Sequence, residues 1–416
     1  MAYTRQSIAG GALLCMLMAC QPSGPTWWKG NTHTHTLWSD GDAAPEHVVD
    51  WYVSHGYHFL VLSDHNVLSD HDRWFPVSES QGSRLRAADV ESLEARFGSG
   101  WVVERRDGDG REMKLKTLTE LRATFERDDF IFIQGEEITD RYEHHEIHVN
   151  GLNLGTVIPP QGGDSIVETI QRNIDAIIAQ GERLNRPVLG HLNHPNFGRS
   201  LRPEHVAAIR GERFFEVYNG HRSTLGHGDL KTTATEQIWD VALTIRLTEH
   251  GLGLLCGLAT DDAHNHHGTR DVSVPGRGWV WVRCDRLGTD AIIDAMRVGD
   301  FYASTGVRLA DFGADAQHLW LQIVPRPGVT YTTEFIGTRA VDGTPSMSGQ
   351  LLATSQSLRP SYRMTGDELY VRARVISSRL HPDPFAAGDL ETAWVQPVLG
   401  PAAGRSMALA RKKPLP

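Results

Sequence analysis

Seven short motifs in this 416-residue sequence hold side chains that can do chemistry: His33-Thr34-His35, Ser39-Asp40-Gly41, Ser63-Asp64-His65, Gly135-Glu136-Glu137, His148-Val149-Asn150, His191-Leu192-Asn193-His194 and Thr260-Asp261-Asp262-Ala263-His264. All offer imidazole or carboxylate and none a thiolate, a donor mix that suits zinc, manganese or iron. Side chains two apart in an extended segment share a face, so His33 and His35 can reach one ion. A carboxylate shared by two cations would hold them roughly 3.5 to 4 Å apart, and their charge lowers the pKa of a bound water so that hydroxide forms near neutral pH. The remaining Lewis acidity polarises a phosphoryl or carbonyl oxygen, so no Ser-His-Asp nucleophile is required.

Histidine usage points the same way. Of 21 histidines, 19 precede residue 310 and only His318 and His381 follow. His47, His55, His58, His205 and His250 read as hydrogen-bonded core or surface residues, while His266 and His267 either extend the site or solvate a loop. Three choices stay open: Glu136 against Glu137, His191 against His194, and Asp261 against Asp262. Arg141, Arg199 and Arg222 lie near the motifs and are candidates for the phosphate side of a substrate. A hydrophobic fraction of 40% excludes a disordered chain, and a net charge of -10 excludes a general nucleic-acid-binding surface.

The elements that must position these motifs alternate. Phe59 to Leu62, Phe130 to Ile133, Pro187 to Leu189, Phe214 to Tyr218 and Leu252 to Leu258 read as short buried strands. Between them, residues 46 to 55 put Val48, Val49, Tyr52 and Val53 on one helical face, and residues 165 to 180 do the same with Ile166, Ile170, Ile174, Ile177 and Ile178. This α/β alternation predicts parallel strands with ligands at their ends. Residues 71–129 interrupt it with a hairpin around Asp107-Gly108-Asp109-Gly110 and a Thr117/Glu120 capping box, an insertion that is either a lid or surface decoration. From about residue 310 to 399, half-exposed strands such as Leu319 to Val324 and Leu369 to Val375 predict a β-sandwich-like domain, and residues 400–416 read as a mobile tail.

At the N-terminus, Arg5 precedes an apolar run from Ile8 to Ala19, too short to span a bilayer and suited to a signal peptide over residues 1–19. Leu17-Met18-Ala19-Cys20 resembles a bacterial lipobox, which implies a lipidated Cys20, a linker over 20–28 and an outer-membrane, cell-envelope location. Cys256 and Cys284 then remain as buried free thiols, with a disulfide between them left open.

The ordered motif set resembles the polymerase and histidinol phosphatase (PHP) domain of metal-dependent hydrolases across residues 29–309. The resemblance implies a distorted (β/α)7 barrel with two or three divalent metal ions at the strand ends. On that pattern His33, His35, Glu137 and Asp262 hold one ion, Glu137 bridges to a second held by His148 and His194, and Asp40, His65 and His264 hold a third, with Glu137, Asp262 and His264 catalytic. Phe301 to Gly306, Tyr370 to Ala373 and Ala393 to Pro397 are similar to the carbaryl-hydrolase-like branch. The resemblance implies phosphoesterase activity on a small-molecule ester. Carbamate, ester or amide hydrolysis is the second expectation, and a surface-anchored binding protein with a silent barrel the third.

Overall fold

The computed structural model describes residues 26–108, 110–268, 271–341 and 343–411, so the leader and Cys20 lie outside it. The first strand, Thr26–Asn31, takes in three residues expected to be linker, because their aromatic side chains have partners. Trp27 packs edge-on against Tyr302 at 5.1 Å and donates its Nε1 hydrogen to Ala310 O at 2.9 Å. This strand lies antiparallel to Trp279–Cys284 and parallel to Phe59–Leu60, which in turn lies parallel to Ile131–Phe132.

A second sheet holds Cys256–Thr260, Phe214–Asn219 and Leu189–Leu192 in parallel. Its last two strands break the expected helix-linked pattern, because Gly135–Tyr142 and His145–Leu152 form an antiparallel hairpin. Its turn is tight enough that Glu143 adopts φ 53°. The protein is thus mixed α/β, and its two sheets meet at both edges. On one side His35 N donates to Ala263 O and Asp262 N to His33 O, each at 2.9 Å. On the other, Glu137 N donates to Ser63 O at 3.1 Å and Asn66 N to Glu137 O at 2.9 Å.

Amphipathic helices cover this double sheet as their spacing requires. Helix Pro45–Ser54 buries Val48, Val49 and Tyr52, with Pro45 in its first turn. Helix Ile166–Leu184 buries Ile170, Ile174 and Ile177, and Asn185 closes it in the left-handed conformation. Within 71–129, Glu104–Asp107 and Gly110–Lys114 form the expected hairpin, with Trp74–Val77 as a third strand. Both bonds of the Thr117/Glu120 capping box are present. This segment shares a core of Leu85, Val90, Leu93, Met113 and Leu115 with Leu37 and Trp38, and so braces the loop bearing Asp40.

The change of texture near residue 310 does not interrupt the sheet. Phe301–Ser304 pairs with Leu390–Leu399, which pairs with Glu368–Leu380, so the C-terminal strands extend the sheet that begins at Thr26. A smaller sheet of Leu309–Ala314, His318–Ile323 and Ser361–Arg363 shares an apolar core with this extension, giving a two-layer β region. Buried Arg372 joins that region to helix Thr235–Ile245, donating to both oxygens of Asp240 at 2.8 and 2.7 Å. The expected mobile tail contains helix Ala403–Ala410, whose small buried residues pack closely. Arg411 Nε, just beyond it, donates to Gly251 O at 3.1 Å. Cys256 and Cys284 are free thiols, both pushed up to about 11 by burial. No described helix is long and apolar enough to cross a membrane.

Candidate metal centre

The seams between the two sheets hold most of the motifs found in the sequence. His33 and His35 follow the first strand in extended chain, so their rings share a face and their Nε2 atoms stand 3.1 Å apart. Glu137 Oε2 lies 3.3 Å from each, and Asp262 Oδ1 lies 3.2 Å from each. A tetrahedral ion with bonds of about 2.0 Å has ligand-to-ligand edges of about 3.3 Å. Five of the six edges among these four buried donor atoms match that length, and His33, His35 and Glu137 together form a cluster able to hold one divalent cation. Asp262 reaches them from a left-handed backbone, φ 49°, which an aspartate tolerates better than most side chains.

Glu137 faces a second group with its other oxygen. Glu137 Oε1 lies 3.0 Å from His148 Nδ1 and 3.2 Å from His194 Nε2, and accepts a hydrogen bond from Asn193 Nδ2 at 2.8 Å. Its two oxygens are thus divided between two imidazole groups, the arrangement a bridging carboxylate needs. A third group surrounds Asp40 Oδ1, with His264 Nε2 at 3.2 Å and His65 Nε2 at 3.5 Å. His35, Asp40, His65 and His264 form one of the clusters able to hold an ion, and the others include His33, Glu137, His148, His194 and Asp262. Several divalent ions can be held by this set.

Without ions the centre is an electrostatic lattice. Burial alone would push Glu137 and Asp262 up, but the surrounding imidazoles, His33 first, hold both well below the usual carboxylate range. Burial alone would lower His33, and the Asp262, Glu137 and Glu216 carboxylates outweigh it and raise it well above the ordinary value. His65 is pushed up to about 11 because Glu137 and Asp40 overcome its burial. His35 falls to about 3, through burial first and then repulsion from His264 and His65. The two rings meet at their Nε2 atoms, while Glu137 Oε2 stays buried without a well-directed hydrogen bond.

The three open choices separate by direction. Glu136 turns away and accepts Ile158 N at 2.6 Å. Asp261 accepts Arg277 N at 2.7 Å, Gly278 N at 2.8 Å and the Tyr52 hydroxyl at 2.9 Å, and so secures the loop behind the site. His191 is buried outside the clusters, with burial pushing it down to about 4. Asp64 accepts Thr36 N at 2.8 Å and Ser39 Oγ at 2.6 Å, shaping the turn before Asp40. The arginine candidates are engaged or remote: Arg199 grips Asp229, Arg222 pairs with Asp271 and Asp383, and exposed Arg141 lies outside the cleft. His267 Nε2 donates to Asp42 O at 2.9 Å, and neither it nor His266 joins a cluster.

Sequence reasoning missed Glu216, which organises the site from behind. Its Oε1 accepts from His33 Nδ1 at 2.7 Å and Thr260 Oγ1 at 2.8 Å. Its Oε2 accepts from His194 N and Asn219 Nδ2, both at 2.8 Å. The contact with His33 Nδ1 leaves Nε2 aimed at the other donors, the usual orientation of a metal-ligating imidazole. The available signal was a lone acid inside the apolar run Phe214 to Tyr218. A cavity of about 410 Å³ opens over the clusters, walled also by Phe197, His221, Ser223, Thr224, Asn265 and Val272.

No family model and no curated protein matches the chain. Among solved structures it is similar to a two-domain protein from Bacteroides vulgatus containing a predicted PHP-like metal-dependent phosphoesterase, at 16% identity and a TM-score of 0.43, covering 95% of this chain and 100% of that one. A protein from Bifidobacterium adolescentis proposed to be a metal-dependent phosphoesterase matches at 12% identity and a TM-score of 0.33, covering 66% of this chain and 96% of that one. An amidohydrolase from Chromobacterium violaceum with bound sulfate and no metal matches at 14% identity and a TM-score of 0.32, covering 65% of this chain and 96% of that one.

Proposed function

We propose that the chain is a metal-dependent hydrolase of the PHP type whose substrates are phosphate esters. The observation that carries this reading is the division of Glu137 between two imidazole groups, Oε2 towards His33 and His35 and Oε1 towards His148 and His194. We read the two sheets, joined by hydrogen bonds at both edges, as a distorted barrel that sets these groups at its strand ends.

Bound divalent ions supply Lewis acidity and make a water acidic enough to ionise near neutral pH. The chain supplies the rest. Glu137 and Asp262 place negative charge between the imidazoles, Glu216 orients His33, and Asn193 fixes the Glu137 carboxylate by donating to Oε1 at 2.8 Å. His221 accepts Ser223 N at Nδ1, 3.2 Å, which puts its proton on Nε2, where it can be donated to a substrate oxygen. Three divalent ions against Asp40, Glu137 and Asp262 leave about three positive charges, which favours an anionic substrate even though the cleft wall contains no Lys or Arg among the described residues. That same cation-free wall, with Phe197 and Val272, is what supports carbamate or ester hydrolysis as the second reading.

Assays with p-nitrophenyl phosphate, bis-p-nitrophenyl phosphate and naphthyl carbamate, with added manganese or zinc, separate the two readings. Glu137→Gln is expected to abolish turnover and lower metal content, and wild-type values of both would sink the site assignment. We also propose that lipidated Cys20 anchors the protein in the cell envelope. Cys20→Ser should move it from the membrane to the soluble fraction, and an unchanged distribution would refute the anchor.

A further inference from the structure

We propose that the protein carries a second ligand site, for a neutral glycosyl ring, in a cavity between the end of strand Phe214–Asn219 and the C-terminal sheet. The cavity measures about 510 Å³ and shares no lining residue with the metal cleft. Its size suits a small organic ligand, and it lies where two lobes of the fold meet, a common place for such sites.

Aromatic side chains form one wall. Tyr218 and Trp394 have ring centroids 5.6 Å apart with planes inclined by 31°, and Phe385 stands edge-on to Tyr218 at 6.4 Å. Tyr218 is only 9% exposed, yet its hydroxyl has no hydrogen-bond partner among the described residues and is not sealed from the cavity it lines. His381, 5% exposed, accepts Asp383 N at Nδ1 and is held in the same wall with its Nε2 sealed from the cavity.

The charges around the cavity are already matched. Glu236 pairs with Arg374 at 2.8 Å, Arg374 with Glu334 at 2.6 Å, and His227 with Asp389 at 2.9 Å. A charged ligand would have to break one of these pairs, whereas a neutral one would not. Tyr218, Gln237, Thr305 and Asp389 add polar groups beside the aromatic wall. A sugar ring meets both demands, because its C–H face packs on aromatic rings while its hydroxyls reach polar edges. A plain aryl ligand would cover the Tyr218 hydroxyl without pairing it, which carries a desolvation cost.

The test is saturation-transfer NMR and calorimetry on the full chain. Probes are the methyl glycosides of glucose, galactose, mannose and N-acetylglucosamine, trisaccharides of each sugar, and phenol and 2-naphthol as aryl controls. At least one methyl glycoside should bind, Tyr218→Phe and Phe385→Ala should each weaken it about tenfold, and Glu137→Gln should leave it unchanged. Tighter binding of a trisaccharide than of its methyl glycoside identifies a polymer as the source, and equal binding a free sugar. Binding of the aryl alcohols alone, of no glycoside, or of a glycoside that Glu137→Gln abolishes overturns the proposal. If Tyr218→Phe does not fold, Gln237→Ala on the exposed rim must weaken binding in its place.

Discussion

Replacing Glu216 by Gln changes one atom, and the structure says why that change should be felt at the metals. The carboxylate accepts four hydrogen bonds, two at Oε1 from His33 and Thr260 and two at Oε2 from His194 N and Asn219. A Gln amide has one accepting oxygen and one donating nitrogen, so one pair of donors must face an NH2 group. If the nitrogen faces His194 N and Asn219, two buried donors lose their acceptor, at about 1 to 3 kcal/mol each. If it faces His33, the imidazole hydrogen is driven from Nδ1 to Nε2, the atom needed for an ion. Either outcome weakens the group of His33, His35, Glu137 and Asp262, and loss of such an outer carboxylate costs about 10- to 100-fold in metal affinity. The group around Asp40, His65 and His264 makes no contact with Glu216, so its ion should stay. The assay is competition with a chromogenic chelator together with metal analysis of the purified variant. Glu216→Gln should lose part of its metal at concentrations that saturate the wild type, and wild-type affinity with full stoichiometry would refute the reasoning.

The same lattice sets the sign of the pH dependence. His33, His65, His194 and His264 are all raised by neighbouring carboxylates that outweigh their burial, so the metal-free centre binds protons more tightly than free imidazoles do. Ions must displace those protons, so metal affinity should rise with pH and calorimetry in buffers of different ionisation enthalpy should register proton release. A buffer-independent enthalpy would contradict this. Arg372→Ala should lower stability by about 3 to 5 kcal/mol, because it leaves Asp240 buried and uncompensated. Chemical denaturation measures it, and a change under about 1 kcal/mol would show that the Asp240 charge is relieved by other partners.

Much of the clustering of the candidate residues was legible because each motif is short and extended. His33-Thr34-His35 needs only strand alternation to bring two rings together, and Asp262-Ala263-His264 uses the same spacing to serve two groups. What sequence could not separate were neighbours such as Glu136 and Glu137, since a single-residue step sends the side chain to the opposite face and the choice of face is a tertiary matter. Glu216 was hidden for a related reason: the imidazole it orients, His33, is 183 positions away in the chain. The hairpin Gly135–Tyr142 with His145–Leu152 was not foreseen, because its two-residue turn, Glu143-His144, lacks the glycine that marks such turns. The C-terminal boundary shows the opposite case, where composition changes at about residue 310 while backbone pairing runs on from Phe301–Ser304 into Leu390–Leu399. Local texture records how a strand meets solvent, and sheet continuity depends on partners distant in sequence.

The placement of the candidate ligands on the seams has a physical consequence. Where two strands pair fully, backbone bonds consume the edges and side chains simply alternate. At the seams only isolated bridges form, Thr34 with Ala263 and His65 with Glu137, and the chain is free to turn its polar side chains inward. Six buried acids and imidazoles, His33, His35, Glu137, His148, His194 and Asp262, then face one another where apolar packing would otherwise close the gap. Such a concentration of buried charge destabilises a fold unless it is compensated. Glu216, Asn193 and Asn219 compensate part of it with hydrogen bonds to His33, Glu137 and Asp262, and cations would compensate the rest. Loading with divalent metal should therefore raise the unfolding temperature in proportion to the logarithm of metal concentration above the dissociation constant. A metal-independent melting curve would mean that the seams are held by their hydrogen bonds alone.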